Sequence, residues 1–389
     1  MAYFLIAVAG FSVLSLFHVT VFSLPIFKIA AFLSMALAVF SVSSKTDCRP
    51  SKREIWAATL MALTIIFAGT YYHWDAFLSA EMWLIKPTIF ISICLLFMPF
   101  LTKIRYETLD KKILCIIVSL LMLSVYAQAL YLLISNQFFD FQQFFGFPPS
   151  RSFYSSPEVE FIRLTGFADE PASYCTMMFC LLLITDPRKF PWYIRILAEA
   201  SIVLTLSSLG WIMVAILYYR TLLLEKRKLA ILTIVASLLV SILLVFAIHP
   251  PAATEKTAMR ILSARSDPSA TVRLFAFLPG NIDKFLKKYS ACSDQNCIVP
   301  DRQDILNSNV TGIIRSSNYN FVKTAFSTAG LIAFTLIGTY LAFFSKTILS
   351  VPVIFLGLTL LTSITEPIFW IGIVAFASQL RYLKTSITS

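Results

Sequence analysis

Long apolar runs alternate with short polar or basic segments along almost the whole chain. Each run is close to the ~20 residues that a helix needs to cross the hydrocarbon core of a bilayer. Because backbone groups in lipid must be satisfied internally, the runs are expected to be helices. The alternating pattern of a transmembrane β-strand is absent. The chain is therefore predicted to be an all-α polytopic membrane protein with about twelve transmembrane helices and two long outer, periplasmic loops containing short helices.

The predicted spans fall into three blocks separated by two long loops. Residues 1–135 hold spans 1–5, residues 169–248 hold spans 6–9, and residues 321–389 hold spans 10–12. The first outer loop is 136–168, and the long basic outer loop is 249–320. In chain order the spans are 2–21, 25–43, 55–72, 83–101, 113–135, 170–186, 192–206, 209–224, 229–248, 321–344, 348–364 and 367–383.

Composition and charge fit a membrane protein and argue against a nucleic-acid partner. The chain is 58% hydrophobic and 14% charged, whereas soluble domains carry about 25% charged residues. The net charge is +11, and a basic residue or cluster follows every second span, which is typical of cytoplasmic loops. Both termini are therefore predicted to be cytoplasmic and both long loops to lie outside. Because Met1 leads directly into an apolar run, we expect no cleavable signal peptide.

The stretch 161–180 gathers charged residues at the start of the sixth span. Arg163 precedes the pair Asp169 and Glu170, and Pro171 opens the apolar run. Proline is favoured in the first turn of a helix, and carboxylates there match the positive end of the helix dipole. The stretch is either a well-capped membrane helix or the entrance to a site for an anionic lipid-linked substrate.

The two outer loops differ in composition. The first is rich in Phe and Tyr, which either anchor at the membrane interface or stack on sugar rings. The second carries nine basic and six acidic residues, so either long loops simply escape the positive-inside bias or the loop has a phosphate partner. Helices are predicted from a Thr254 cap and after Ser269, followed by an amphipathic segment, DKFLKKY.

A few further residues carry chemistry. Cys292 and Cys297 lie together in the outer loop and are predicted to form a disulfide in an oxidising compartment. Lys86 lies inside an apolar run, where it either snorkels to the surface or contacts substrate phosphate. Arg195 and Glu199 are spaced to pair on one helix face. The three histidines are interpreted as interface residues: His18, His73 and His249. No metal or cofactor is predicted.

Three motifs along the chain form a set. The first is an R…G-F-x-x-E-P-[AS] signature, carried by Arg163, Gly166, Phe167, Glu170, Pro171, Ala172 and Ser173. The second is a T-x-S-x-x-G turn, carried by Thr205, Ser207 and Gly210. In the long loop, Arg265 and Arg273 are followed by Pro279 and Gly280. This set resembles that of Wzy-type O-antigen and capsular polysaccharide polymerases, whose long loop has an R…P-x-G pattern. Because Gly280 is followed by Asn281, the family's P-x-G-x-G ending is incomplete here.

The resemblance implies a metal-independent glycosyltransferase without a cofactor in the bacterial plasma membrane. Such an enzyme joins repeat units linked to undecaprenyl diphosphate at the outer face, working with a flippase and a chain-length regulator. Arginines are expected to hold the diphosphate, and Glu170 or Asp169 to act as base, unless Glu170 only positions an arginine. The diphosphate ligands are expected to be Arg163, Arg265 and Arg273, with further sugar or phosphate contacts from Arg151, Arg260, Tyr154 and Lys86.

Two alternatives remain. An O-antigen ligase shares the donor and architecture but passes the glycan to a lipid A-core acceptor, and such ligases usually show a histidine in the long outer loop. Here His249 lies only at the start of that loop, which favours a polymerase. A lipid-linked oligosaccharide flippase would place its charges along a central cavity, whereas the polar residues here concentrate in the outer loops.

Overall fold

The computed structural model describes residues 2–17, 20–21, 24–44, 49–72, 82–104, 106, 109–150, 152–155, 160–262 and 367–388. These residues are mostly helical, with two short antiparallel hairpins. The helices are α1 (Ala2–Leu14), α2 (Ile26–Ser43), α3 (Lys52–Tyr72), α4 (Met82–Leu101), α5 (Lys111–Ser135), α6 (Phe141–Phe144), α7 (Pro171–Ile184), α8 (Trp192–Leu204), α9 (Ser208–Leu224), α10 (Arg227–Ile248), α11 (Pro251–Leu262) and α12 (Pro367–Thr388).

The helices agree with the first nine predicted spans and with the last, although the first is shorter than expected. Helix α1 ends at Leu14, a 3₁₀ turn follows to Phe17, and Thr20–Val21 pairs with Leu24–Pro25 as a hairpin. β-Branched residues favour this extended backbone. Spans 10 and 11 lie outside the described residues.

The helix expected to start from a Thr254 cap begins earlier. Helix α11 starts at Pro251, which suits the first helical turn because proline has no N–H to satisfy there. Thr254 is therefore inside the helix and is not its cap. The helix after Ser269 and the segment DKFLKKY lie outside the described residues.

Helix α7 lies at the centre of the described bundle. Every residue from Tyr174 to Ile184 is buried, and the helix packs against α12, α9, α5, α8 and α1. In α12, the run from Ile368 to Ala377 is equally buried. The charged residues that precede α7 are therefore attached to the most enclosed element described.

The peripheral helices expose apolar side chains, as expected in lipid. Among the described residues, three helices are long and apolar enough to cross a membrane, namely α2, α5 and α10, and several shorter apolar helices accompany them. On α10, Leu232 and Leu243 are more than half exposed. Such a surface would be costly in water, so the structure supports a membrane protein.

Buried polar side chains fasten the C-terminal end of α7. The Arg220 guanidinium on α9 donates to the carbonyls of Leu182 at 2.8 Å, Leu183 at 3.2 Å and Thr185, and to Gln379 Oε1 of α12 at 2.7 Å. The last carbonyls of a helix have no intrahelical partners, and a cation there also complements the helix dipole. Arg220 therefore ties α7, α9 and α12 together.

The predicted pair of Arg195 and Glu199 is confirmed but is not the closest contact. The two side chains are 3.9 Å apart, whereas Arg195 donates from both terminal nitrogens to Glu225. All three side chains are almost fully buried. The pairing links α8 to the α9–α10 turn at the same end as Arg220. We call the end of the helix bundle that carries residues 163–170 the motif end, and the end that carries Arg195 and Arg220 the opposite end.

Candidate functional site

The segment 163–170 connects the second hairpin to α7. The hairpin pairs β3 (Phe153–Ser155) with β4 (Glu160–Ile162), and the Arg163 N–H then donates to the Ser152 carbonyl at 2.7 Å. Leu164, next to Arg163, is fully buried, whereas the Arg163 side chain is partly exposed. The apolar neighbour anchors the segment, and Arg163 itself is half-buried.

The acidic pair lies at the start of α7, but Glu170 does not cap the helix with its side chain. Glu170 occupies the N-cap position with an extended backbone, φ −146° and ψ 155°, and makes no side-chain capping hydrogen bond. Pro171 occupies the first helical position, as predicted. Glu170 is therefore the N-cap residue of α7 by position and not through its side chain. The Asp169 and Glu170 side chains are both partly buried.

Gly166 forms a tight left-handed turn in the middle of the segment. Its φ is +56°, and a Cβ there would lie 2.4 Å from Ser124 Oγ and 3.1 Å from both Tyr174 Cδ2 and Val125 Cγ2. A side chain would be excluded both by the backbone conformation and by the space available. The glycine of the first motif is thus required for the segment to lie flat against α5 and α7.

Gln128 of α5 holds this turn through its side-chain amide. Its Oε1 accepts from the backbone N–H of Thr165 at 3.0 Å and of Gly166 at 2.8 Å. Its Nε2 donates to the Phe139 carbonyl at 2.9 Å and lies 3.4 Å from both Thr165 Oγ1 and the Gly166 carbonyl. The side chain is fully buried, so both its oxygen and its nitrogen bond to residues of the first outer loop.

Gln142 holds the next residue from another direction. Its Nε2 donates to the carbonyl of Phe167 and, at 2.9 Å, to that of Leu16. Gln142 lies in the short helix α6, which is capped by Asp140, whose other carboxylate oxygen accepts from Ser150 N at 2.7 Å. Hydrogen bonds therefore connect the short helix α6 to the 3₁₀ turn after α1 and to segment 163–170, which we call the motif segment.

The second motif, the turn between α8 and α9, packs directly on α7. Thr205 Oγ1 lies 3.2 Å from Cys175 Sγ, and Ser207 caps α9 by accepting from Gly210 N at 3.4 Å. A Cβ on Gly210 would lie 2.6 Å from Cys175 Sγ and 2.9 Å from Ile202 Cγ2. Only a glycine permits this approach, so the threonine and glycine of this motif both contact the first turns of α7.

Cys175 joins the two motifs. It lies two residues after Ser173, the last residue of the first motif, and its Sγ contacts Thr205 of the second. Two sequence motifs about forty residues apart in the chain are thus brought together at the motif end. This meeting is the main geometric feature of the site.

His249 is held by the fold beside the turn of the second motif. Its Nε2 lies 2.9 Å from the Leu204 carbonyl, and the residue is 4% exposed. Burial lowers the pKa of His249, the bond to Leu204 opposes this, and the net direction is down. The ring is therefore neutral near pH 7 and donates its Nε2–H to the carbonyl.

This burial predicts a pH-dependent stability. Unfolded His249 takes up a proton near pH 6.5, whereas the folded state resists it, so stability is complete above that pH and decreases as the pH falls. We expect the melting temperature of the detergent-solubilised protein to decrease between pH 7 and pH 5. His249→Gln, which retains an N–H donor but does not titrate, should flatten this dependence. An identical pH slope in both proteins would contradict the assignment.

The aromatic residues of the first outer loop stack mainly on one another. Phe17 contacts Phe145 and Phe167 with centroids 5.2 and 5.3 Å apart, and Phe141 contacts Phe167 at 4.9 Å. Phe144 and Phe145 nevertheless remain 68% and 51% exposed. The half-buried rings of Phe17, Phe141 and Phe167 therefore have a structural role. The exposed ones are compatible with interface anchoring.

The structure places the predicted site residues unequally. Arg163, Asp169 and Glu170 lie together at the motif end. Tyr154 lies on β3, Lys86 in α4 and Arg260 in α11, and the structure describes only their backbone. The others lie outside the described residues, so their roles and the predicted disulfide stay predictions: Arg151, Arg265, Arg273, Cys292 and Cys297.

Sequence reasoning missed the two glutamines that support the motif segment. A signal was present for Gln128, because it stands inside the apolar run 113–135 and a polar residue within a membrane helix usually has a specific partner. Gln142 lies beside Gln143 in a polar loop. Nothing in that local pattern distinguishes the buried side chain from its exposed neighbour.

Chemically, the motif end offers a guanidinium for an anion, carboxylates for proton transfer and a helix N-terminus without a side-chain cap. Among the described residues, no group of three or more His, Cys, Asp or Glu side chains could hold a metal ion. A scan against protein-family models and searches of curated proteins and of solved structures gave no match for this chain.

Proposed function

We propose that the protein is a polymerase of a bacterial surface polysaccharide, O-antigen, capsule or exopolysaccharide, that joins undecaprenyl-diphosphate-linked repeat units by glycosyl transfer. Transfer takes place at the outer face of the plasma membrane, with both chain termini in the cytoplasm. The observation that carries the proposal is the packing of the second motif on α7 directly after the first motif, where Thr205 contacts Cys175 and Gly210 approaches the same sulfur. The two motifs lie about forty residues apart in the chain and would share one site.

The reaction needs charge stabilisation more than any other chemistry. A sugar hydroxyl of the acceptor repeat attacks the anomeric carbon of the donor glycan, and the bond from that carbon to the diphosphate oxygen breaks. The lipid diphosphate leaves with the electron pair, and the hydroxyl proton passes to a base. Arg163 binds the departing diphosphate, where a charge-assisted bond gains strength as negative charge develops.

The remaining roles follow from the same chemistry. Asp169 and Glu170 lie directly before α7. In this proposal, one of them takes the hydroxyl proton or positions Arg163 by an ion pair. The first N–H groups of α7 add donors for the diphosphate, because Glu170 does not cap them with its side chain. Arg265 and Arg273 of the long outer loop complete the diphosphate site in this proposal.

The position of His249 supports a polymerase over a ligase. In a ligase the outer-loop histidine would face the substrate, whereas His249 is 4% exposed and bonded to the Leu204 carbonyl. A flippase is less well supported, because the buried charges at the opposite end are joined in ion pairs and helix-capping bonds. They do not line a described passage between the two ends.

The proposal is tested by glycan length in the native host. Deletion of the gene should leave single repeats on the glycan anchor, and the wild-type gene should restore the ladder. We expect Arg163→Ala to reduce chains longer than one repeat by about 10²-fold or more, since loss of one donor to a developing anion has that effect in other enzymes. Surface glycan resolved on gels, with immunoblotting for protein level, gives the measurement.

The matched control is Arg227→Ala, which removes an exposed arginine at the opposite end and should leave the ladder unchanged. Complete loss of glycan from the anchor in the deletion strain would indicate a ligase or flippase. Normal chain lengths in the Arg163→Ala strain would reject the role assigned to the guanidinium.

A further inference from the structure

Three consecutive residues of the motif segment are each bound by a buried glutamine. Gln128 accepts the N–H groups of Thr165 and Gly166, and Gln142 donates to the carbonyl of Phe167. The two glutamines come from different elements, α5 and α6. The turn is therefore held on two sides by side chains from outside the segment, in addition to its own bond from the Ala168 N–H to the Thr165 carbonyl at 3.0 Å.

Burial of the two glutamine amides costs free energy unless their hydrogen bonds are made. Both glutamines are almost fully buried, at 0% and 1% exposure, and a buried amide without partners loses more free energy than the bond normally contributes. Gln128 uses both acceptor positions of its oxygen on the turn and anchors its nitrogen to the Phe139 carbonyl at 2.9 Å. Substitution by an apolar side chain would leave the two backbone N–H groups without this acceptor.

The hydrogen bonds from the two glutamines hold a turn that lies between the charged residues of the segment. Arg163 lies just before the bound residues and the pair Asp169 and Glu170 lies just after them. The left-handed Gly166 reverses the chain between these charged groups. A shift of the turn would move the guanidinium and the carboxylates relative to each other, and a displacement of about 1 Å can reduce an enzyme's rate by 10²-fold.

We infer that Gln128 and Gln142 are positioning residues for glycosyl transfer. Together they hold the Thr165–Phe167 turn so that Arg163 and the carboxylates of Asp169 and Glu170 contact the same substrate. The inference rests on the proposed function and adds to it the residues that set the geometry of the site. Neither glutamine touches the substrate, and both act through the turn.

Substitutions at position 128 separate positioning from filling of space. Gln128→Met retains the volume but loses every hydrogen bond of the amide. Gln128→Glu in its neutral form retains an acceptor oxygen for the turn and an O–H donor for the Phe139 carbonyl. If only packing mattered, methionine would be tolerated at least as well as glutamate. Positioning predicts the reverse order.

The experiment measures elongation in membranes of the deletion host that contain each full-length variant, supplied with lipid-linked repeat units extracted from the same strain. We expect Gln128→Met to reduce the initial rate by about 10²-fold, and Gln128→Glu to be about tenfold faster than Gln128→Met, the equivalent of one hydrogen bond. Amide hydrogen exchange of the purified proteins should show faster exchange at Thr165 and Gly166 in Gln128→Met.

Gln142 provides a matched pair with its neighbour. Gln142→Met should reduce elongation, whereas Gln143→Met, which alters an exposed side chain, should not. Equal rates for wild type and Gln128→Met, or unchanged exchange at Thr165 and Gly166, would overturn the inference while leaving the proposed function intact. No elongation by wild-type membranes would overturn the proposed function itself, so the two failures are distinguishable.

Discussion

Arg220→Met is expected to destabilise the protein by about 3–5 kcal/mol, because it leaves several buried carbonyl oxygens without a donor, and each such group costs about 1–3 kcal/mol. Arg220 is 2% exposed, and its guanidinium donates to three carbonyls at the end of α7 and to Gln379 of α12. Asp186 follows this helix end and pairs with Arg188 at 2.8 Å.

Thermal unfolding of the detergent-solubilised protein measures this effect. Lys228→Met removes an exposed charge at the same end and should change stability by less than about 0.5 kcal/mol. Arg220→Lys should fall between the two, because an ammonium group retains the charge but cannot present the planar fork of donors. Equal melting temperatures for Arg220→Met and Lys228→Met would show that these bonds do not hold α7 to α12.

Gly166→Ala is expected to destabilise the protein by about 2–5 kcal/mol and to abolish long glycan chains. Two costs add: a left-handed alanine costs roughly 1–2 kcal/mol, and overpacking costs about 1–3 kcal/mol. The new methyl group would lie 2.4 Å from Ser124 Oγ, so the turn must move away from α5. Arg163 and Glu170 would then move with it, and thermal unfolding and glycan length together measure the two consequences.

Two further variants separate strain from overlap. Gly146 also has a positive φ, +80°, but no atom lies within 4 Å of its absent Cβ, so Gly146→Ala should show the backbone cost alone. Ser124 Oγ donates within its own helix, to the Leu121 carbonyl. Ser124→Ala combined with Gly166→Ala should therefore recover part of the lost stability. If Gly166→Ala is no worse than Gly146→Ala, this turn does not approach α5 closely.

The Arg220 and Gly166 variants act at opposite ends of helix α7. Helix α7 is capped at its C-terminus by Arg220 and Gln379, and its N-terminal segment is bound by Gln128. Between them the helix is buried along nearly its whole length. A helix held in this way presents the charged groups at its start with little freedom, which is what a site for an anionic leaving group requires.

Much of the fold follows from local pattern. The start of α7 at Pro171 was predicted from proline and the apolar run that follows it. The short connection between α8 and α9 was predicted from the apolar runs 192–206 and 209–224, and Ser207 within it is the cap of α9. In each case the signal consists of residues within one helical turn of the boundary. The early end of α1 had no comparably strong breaker in the sequence.

The candidate site was only partly predictable. The charged residues of segment 163–170 and the residues of the second motif were recognised separately, and their contact through Cys175 was not. The glutamine supports were missed because a hydrogen bond between residues 128 and 166 leaves no local pattern. Likewise, local spacing predicted Glu199 as the partner of Arg195, whereas the stronger contact is to the distant Glu225.

The sequence alone determined where most of the described helices run, because length, apolarity and breakers are properties of short segments. Only the tertiary structure decided which apolar faces are inside: Leu181 and Leu183 of α7 are fully buried, whereas Leu232 and Leu243 of α10 are 66% and 61% exposed. The physical reason is that lipid chains are as apolar as leucine, so hydrophobicity does not distinguish the core from the lipid-facing surface. Close packing and specific hydrogen bonds make that choice, and they join residues far apart in the chain.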